Sequence, residues 1–502
     1  MRNLTKDRSV IVQVKPNTRH LFRWRPKLRI IPMTTPPNSC FRSSPIWPVA
    51  IIAMFFCCST IVAEAQTNYQ RIKSFGVPAI SGYQPVSKPI EGNDGFLYGV
   101  TYTGGSNNVG VIYRAQRTGH DYSVLYHFLT GAFPVGEIMQ GSDGSLYGTT
   151  QSGGSNNLGI VYTLATNGGN FKVLHTFVAD GIDGSAPAAG LLQGSDGSLY
   201  GTTASGGSNN LGTVFRLQND GSGYTILHHF TGSEGSSPVA PLIQGNDQRL
   251  YGTARDGGTS NFGTVFCLDT NGNNYAILHQ FAGGNADGRS PRGSLAFGTN
   301  GSLYGVSYYG ATNDLGTIFK LDADGGNYGL LHSFEGGASG YQPWGGLVSM
   351  NGEFYGTTRF GGSNDVGTVY RCALDGNFAV LRHFEGDDGS QPQAGLLAGT
   401  DGVLYGVTTY GGTANLGVMF KLFSGRPLIS ISNIQLTQTG ALLTCNGGIA
   451  GSPYQIEANS NLLEVSGWTA IATNYADLDG VFQSLDADSS NYLQRFYRIR
   501  AP

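Results

Sequence analysis

Charge is what this sequence has least of: Asp, Glu, Lys and Arg make up 13% of its 502 residues. That scarcity excludes a disordered polyelectrolyte and a basic nucleic-acid-binding protein. The sign of the charge excludes more. Residues 1–65 hold 10 of the 30 Lys and Arg but only Asp7 and Glu64 of the acids, which leaves 20 basic against 31 acidic residues, net −11, in the rest. A body so acidic repels phosphate backbones and anionic lipid surfaces, so no nucleic acid partner is expected. Cysteine is sparse too: Cys267, Cys372 and Cys445 alone lie beyond residue 65, too few and odd in number for a disulfide scaffold. No Gly-x-Ser-x-Gly elbow, zinc motif or phosphate loop occurs, and no window of the repeat region shows a helical period backed by caps. Glycine, by contrast, is abundant at 77 residues, about twice the usual share. It lacks the every-third-residue rhythm of collagen, so the excess points to turns.

Residues 46–62 form an uncharged, mostly apolar run, preceded by a basic stretch and followed by Ala63-Glu64-Ala65, a small-x-small cleavage signature before Gln66. This predicts a secretory signal and a secreted or cell-surface protein. The basic stretch is longer than a signal needs and Met33 offers a second start, so residues 1–32 read as a mis-called extension with no fold assigned. The alternative is an uncleaved anchor, because 17 residues approach the length that spans a bilayer. That segment is the one expected link to a membrane. Cys57-Cys58 follow the bulky Phe55-Phe56, which does not fit a lipobox.

A Tyr-Gly pair recurs at Tyr98, Tyr147, Tyr200, Tyr251, Tyr304, Tyr355 and Tyr405, 49 to 53 residues apart. Periods near 50 belong to propeller blades rather than helical arrays. Residues 187–230 show one unit: four short runs (GLLQ, LYGTT, GTVFRL, YTILHHF), each closed by a turn signal. The first turn centres on Asp-Gly or Asn-Gly, as at Asp94-Gly95, Asp143-Gly144 and Asn351-Gly352, which predicts two-residue hairpins with both central residues left-handed. Asp247-Gln248 breaks the pattern and predicts a different turn there. Short connections make each unit a four-stranded antiparallel meander. The fourth type of run appears once before the first unit, at residues 69–75, and the last unit stops at Leu422 without one. The N-terminal strand thus completes the final blade. The expected fold is all-β: a seven-bladed β-propeller over residues 69–422, with an open solenoid as the alternative.

The GTVF(R/K/T/C)L run and the LYGTT core resemble the bacterial Gloeo/Verruco tandem repeat of secreted choice-of-anchor proteins, over about 350 residues from Tyr69 to Leu422. The resemblance implies an exported, surface-associated repeat protein and brings no catalytic residues with it. The double glycines (Gly153-Gly154, Gly206-Gly207, Gly361-Gly362) are loosely similar to kelch blades, but the kelch tryptophan and arginine are missing. After residues 423–427, which read as a linker, residues 428–502 alternate in short strands and predict a small β-sandwich. Trp468 is assigned to its core.

Six histidines (His127, His175, His228, His279, His332, His383) recur once per unit in the fourth strand. They lie too far from a common point to bind one metal and are expected to be structural. Acids between units (Asp180, Asp183, Glu234, Asp287, Glu385, Asp387, Asp388) leave calcium open as a cofactor; no other is expected. The Asn-rich loops (Asn156-Asn157, Asn209-Asn210, Asn364-Asp365) are expected to cap their own backbone.

Two repeat positions depart from uniformity. Before the double glycine stand Thr103, Ser152, Ser205, Asp256, Tyr309, Phe360 and Tyr410; after the opening proline stand Val86, Val135, Ala188, Val239, Arg292, Trp344 and Gln393. Both series enlarge in units five to seven. With Arg359 nearby, Arg292, Tyr309, Trp344, Arg359, Phe360, Gln393 and Tyr410 are the candidate ligand site, with rings to stack on sugar faces and Arg or Gln to bond hydroxyls. The alternative is that the rings fill gaps between blades. Repeats without a unique catalytic constellation favour a non-catalytic binding or scaffold module with a glycan or cell-surface partner. A polysaccharide lyase or hydrolase working at the channel mouth is the second reading, and a structural envelope component the third.

Overall fold

Two contacts explain why tyrosine and glycine recur as a pair. The computed structural model describes residues 12–14, 69–76, 79–129, 132–423, 430–437, 439–446, 453–460, 468–475, 482–492 and 495–500. The predicted signal segment, the second start at Met33 and most of the predicted linker lie outside them. In it, the hydroxyls of Tyr98, Tyr147, Tyr200, Tyr251 and Tyr405 each donate to the aspartate four residues earlier, at 2.6–2.8 Å. The following glycine leaves room for an aromatic ring on the neighbouring strand. A Cβ at Gly99 would lie 2.4 Å from the Tyr113 hydroxyl, and one at Gly201 the same distance from Phe215.

The same aspartates shape the first turn, which differs from the one expected. Gly95 N donates to Gly92 O at 2.8 Å and Phe96 N to Asp94 Oδ1 at 3.2 Å, and glycine alone of the pair is left-handed, at φ 77°. The turn is therefore longer than two residues, with the aspartate side chain stabilising it. Only Asn351-Gly352, with φ 57° and 76° between paired Met350 and Glu353, matches the two-residue expectation. At Asp247-Gln248 the turn does not differ from its neighbours: Gln248 takes the left-handed position at φ 67° and donates to Gly245 O at 3.0 Å.

These units build an all-β domain over residues 67–425. Sheet 1 runs Ile90–Glu91, Leu97–Thr101, Val111–Ala115, Ser123–His127 in antiparallel order, and sheets 2 to 6 repeat it at residues 139–176, 192–229, 243–280, 296–333 and 348–383. Sheet 7 consists of Leu397–Ala398, Val403–Thr408 and Val418–Phe423, with Tyr69–Ser74 as its fourth strand. The second strand of each sheet is buried almost throughout, and the fourth is more exposed than the second and third.

Apolar clusters lie between consecutive sheets. One joins Tyr98 and Ile112 to Leu146 and Tyr162, and another joins sheet 7 to sheet 1 through Val407, Met419, Leu97 and Tyr113. Each joint also sets a left-handed glycine against the next opening proline. A Cβ at Gly159, Gly263 or Gly417 would come within 2.5–2.6 Å of Cδ of Pro187, Pro291 or Pro85. Only glycine supplies both that φ, 100–108° at these three, and that space. The Asn loops cap themselves as expected: Gly153 N donates to Asn157 Oδ1 at 2.9 Å and Gly206 N to Asn210 Oδ1 at 3.0 Å.

The histidines form two series rather than one. His175, His228, His279 and His332 stack face to face on Tyr224, Tyr275, Tyr328 and Phe378 of the following sheet, centroids 3.6–3.9 Å apart. Tyr126 stacks likewise on Phe171, while Arg382 lies over Tyr69 and Lys73 over Tyr122. His127 and His383 sit one residue further on, opposite Val111 and Thr368, and so project to the other face of their strands.

The acids between sheets serve the same stacks. Asp183 accepts from His175 Nε2, the Tyr224 hydroxyl, Val178 N and Gly184 N, and Asp287 accepts the equivalent four bonds from His279, Tyr328, Ala282 and Gly288. Burial alone would raise these carboxyls, but bonds from histidine, tyrosine and backbone outweigh it and hold both below the usual range. Among the described residues no group of three or more His, Cys, Asp or Glu could hold a metal ion.

The second unit comprises residues 1–66 and 426–502. Ser430–Thr437, Gly440–Asn446 and Phe482–Asp486 form one sheet; Pro453–Asn459, Thr469–Tyr475 and Arg495–Arg500 form another, with the short strand Val12–Val14 paired to the last of these. That strand falls in the stretch to which no fold was assigned. Leu443, Cys445, Tyr454, Ile456 and Tyr497 share one core. Trp468 is half-buried under the Arg498 guanidinium, 4.5 Å away, outside that core. No helix of the described residues is long and apolar enough to cross a membrane.

Candidate functional site

The opening prolines bring the first variable series together. All seven residues that follow them, from Val86 to Gln393, line a single cavity of about 510 Å³. Beyond them the chain keeps to small residues because backbone meets backbone. A Cβ at Gly345 would lie 2.2 Å from Gly395 N, one at Gly293 2.7 Å from Gly346 Cα, and one at Gly136 2.6 Å from Ala189 O. Sheets 1 to 4 thus present Val or Ala to the cavity, whereas sheets 5 to 7 present Arg292, Trp344 and Gln393.

The second series divides. Arg359 and Tyr410 also line the cavity, but Tyr309 and Phe360 do not. Tyr309 lies under the Arg289 guanidinium at 4.3 Å, which is itself paired with Asp314. Phe360 stacks on Tyr341, centroids 5.5 Å apart. The residues one position earlier take the inner face: Tyr102, Gln151, Arg255 and Thr409 join Arg359 in the wall. A shift of one residue along a strand exchanges its faces. The signal was present in the sequence, since Tyr102, Gln151, Ala204, Arg255, Tyr308, Arg359 and Thr409 vary as widely as the series chosen.

Trp344 organises the polar side of the wall. The Arg292 and Arg359 guanidiniums lie 4.4 Å and 5.4 Å from its ring, with Tyr308 edge-on at 5.2 Å. The Tyr308 hydroxyl donates to Gln342 Oε1 at 2.7 Å, accepts from Arg359 at 3.3 Å, and its ring lies 4.9 Å from Arg292. Arg359 further donates to Gln391 Oε1 at 3.3 Å. Such stacking fixes guanidinium planes while leaving N–H groups for other partners.

The charges are unevenly matched. Lys88 pairs with Glu137 at 3.0 Å across the wall, and Arg255 pairs with Asp256 at 2.6 Å. Arg292 and Arg359 have no carboxylate partner among the described residues, and the buried Nε of Arg292 has no hydrogen-bond partner at all. Burial, and then the charge of nearby Arg255, push Arg292 below the ordinary arginine range. In an otherwise acidic body, the cavity gathers four cations against Glu137 alone among its described lining residues.

The Gloeobacter/Verrucomicrobia repeat family matches residues 60–195 and 273–441, more than half of the chain, and the chain belongs to that family. No protein of curated function matches it. Among solved structures it is similar to an oligogalacturonate lyase in complex with manganese (12% identity, 72% of this chain and 94% of that one, TM-score 0.48). It is also similar to the extracellular domain of a putative hybrid two-component system of B. thetaiotaomicron (12% identity, 84% and 55%, TM-score 0.49). A third is the GH74 xyloglucanase of Xanthomonas campestris (13% identity, 76% and 59%, TM-score 0.46). At these scores the likenesses carry no argument about chemistry.

Proposed function

We propose that this member of the Gloeobacter/Verrucomicrobia repeat family is an exported, non-catalytic binding protein, a closed seven-bladed propeller that takes a saccharide into its central cavity. Closure is supported by four contacts between the two ends of the repeat array. Tyr69–Ser74 pairs with Val418–Phe423, Gly417 meets Pro85, one apolar cluster spans sheets 7 and 1, and Lys73 lies over Tyr122 at 3.9 Å. Export rests on the apolar run and cleavage signature before Gln66.

One observation carries the binding reading: seven equivalent positions converge on one cavity, and three consecutive sheets replace Val or Ala there with Arg, Trp and Gln. Packing asks for sameness at equivalent joints, so a graded departure on a concave face marks recognition. Glu137, tied to Lys88, is the sole carboxylate among the described lining residues, whereas paired-carboxylate glycoside hydrolysis needs two. A glycan array run beside a polysaccharide-degradation panel tests the reading. Stoichiometric binding that Tyr410→Ala abolishes at unchanged melting temperature is expected. Turnover without stoichiometric binding would make the protein a lyase or hydrolase instead, and silence in both panels would leave a structural envelope component.

A further inference from the structure

The cavity wall contains a cation that the protein itself does not satisfy. Arg292 is held between the Tyr308 and Trp344 rings, its Nε is buried without an acceptor, and no carboxylate among the described residues pairs with it. Its neighbour across the indole, Arg359, bonds only the neutral oxygens of Gln391 and Tyr308. The Arg292 guanidinium is half-buried against two ring faces, and a partly desolvated charge is stabilised by an anionic partner. Trp344 also bears on the kind of ligand. With two guanidiniums at its ring, it is better placed to orient cations than to offer a bare platform to a sugar.

We infer that the ligand of this cavity is an acidic saccharide whose carboxylate or sulfate is received by Arg292 and Arg359, with Tyr102 and Tyr410 left to meet its apolar faces. The inference rests on the saccharide reading above and narrows it. Guanidinium forks match flat, two-oxygen anions, and charge-assisted bonds of this kind are about twice as strong as neutral ones. The opposite side of the wall fits the same assignment. Lys88 is neutralised by Glu137 in sheets 1 and 2, so the unspent positive charge lies in sheets 5 and 6.

The test is calorimetric titration of the full chain with four probes: oligogalacturonate, its methyl ester, a sulfated heparin oligosaccharide and the desulfated form. Expected are binding of an acidic probe and at least tenfold weaker binding of its neutralised counterpart. Arg292→Gln and Arg359→Gln should each weaken binding about 10- to 100-fold. Whichever acidic probe binds identifies the anion as carboxylate or sulfate. Arg359→Gln keeps the test open if Arg292→Gln misfolds, because Arg359 stands on a different sheet and holds only the neutral oxygens of Gln391 and Tyr308. Equal binding of acidic and neutral forms, lost in Tyr410→Ala, would overturn the acidic assignment while leaving the saccharide reading intact. Acidic binding indifferent to both arginine variants would overturn it as surface adsorption, and no binding of any probe would overturn both.

Discussion

The fourth strands and the cavity wall are built from the same sequence repeats, yet they treat repetition in opposite ways. In the fourth strands each sheet supplies a flat or cationic group that lies on a ring of another, down to Lys73 over Tyr122. Identity varies there among Tyr, His, Arg and Lys, but the contact does not. At the cavity the backbone position is constant and the side chains diverge, from Val86 and Ala188 to Arg292 and Trp344. Where geometry repeats and the contact repeats, the residues hold the sheets together; where geometry repeats and the contact diverges, the residues are free to recognise something else.

The comparison breaks most severely if the strand at residues 69–74 is removed. Deleting residues 69–74 strips the edge of Val418–Phe423 and the ring that covers Phe420, so cooperative unfolding in denaturant should disappear and aggregation follow. Next, Tyr328→Ala removes a ring that touches His279, Phe281 and Phe319 and leaves Asp287 short of one donor, at an expected cost of about 3 kcal/mol.

Acidity should divide the outer stacks among themselves. His332 has no acid facing its Nε2, and burial pulls it down to about 4, against about 6.5 in the unfolded chain. A histidine depressed in the folded state costs stability as pH falls from 6.5 toward 4, because only the unfolded chain takes up the proton. His332→Phe should therefore flatten the stability curve across that window by about 1–2 kcal/mol, with solvent screening allowed for. Asp183 and Asp287, held low by their bonds, keep their contribution down to more acidic pH and lose it as pH falls below the usual carboxylate range. Smallest in stability is Glu137→Gln in the cavity, worth under about 1 kcal/mol. It frees Lys88 and should tighten an acidic probe two- to threefold, measured by titration.

Much of this architecture was legible because it is local. Period and turn dipeptides specify the four-stranded sheets because each rests on neighbours in sequence, whereas the strand at residues 69–74, whose partner is Val418–Phe423, was legible because the last unit lacks a fourth run. The lining of the cavity was half legible. Post-proline residues are pinned by the proline ring against a glycine, so their direction is uniform and Arg292, Trp344 and Gln393 meet as a set. The residues before the double glycine end a strand, where an error of one position exchanges faces; hence Tyr309 and Phe360 were chosen and Tyr102 and Arg255 missed. The stacks were hidden for another reason. All but Arg382 over Tyr69 join residues about 45 to 50 apart, and the types differ from pair to pair, so only the register of the strands separates His175 from His127.

A crystal structure of the protein grown with oligogalacturonate and a sulfated heparin oligosaccharide in turn tests the central claim most directly. The account predicts seven sheets closed through residues 69–74, with saccharide density in the cavity and an anionic group within hydrogen-bond distance of Arg292 and Arg359. An open array of sheets, or saccharide seated only on the outer strands or on the second unit, would contradict it.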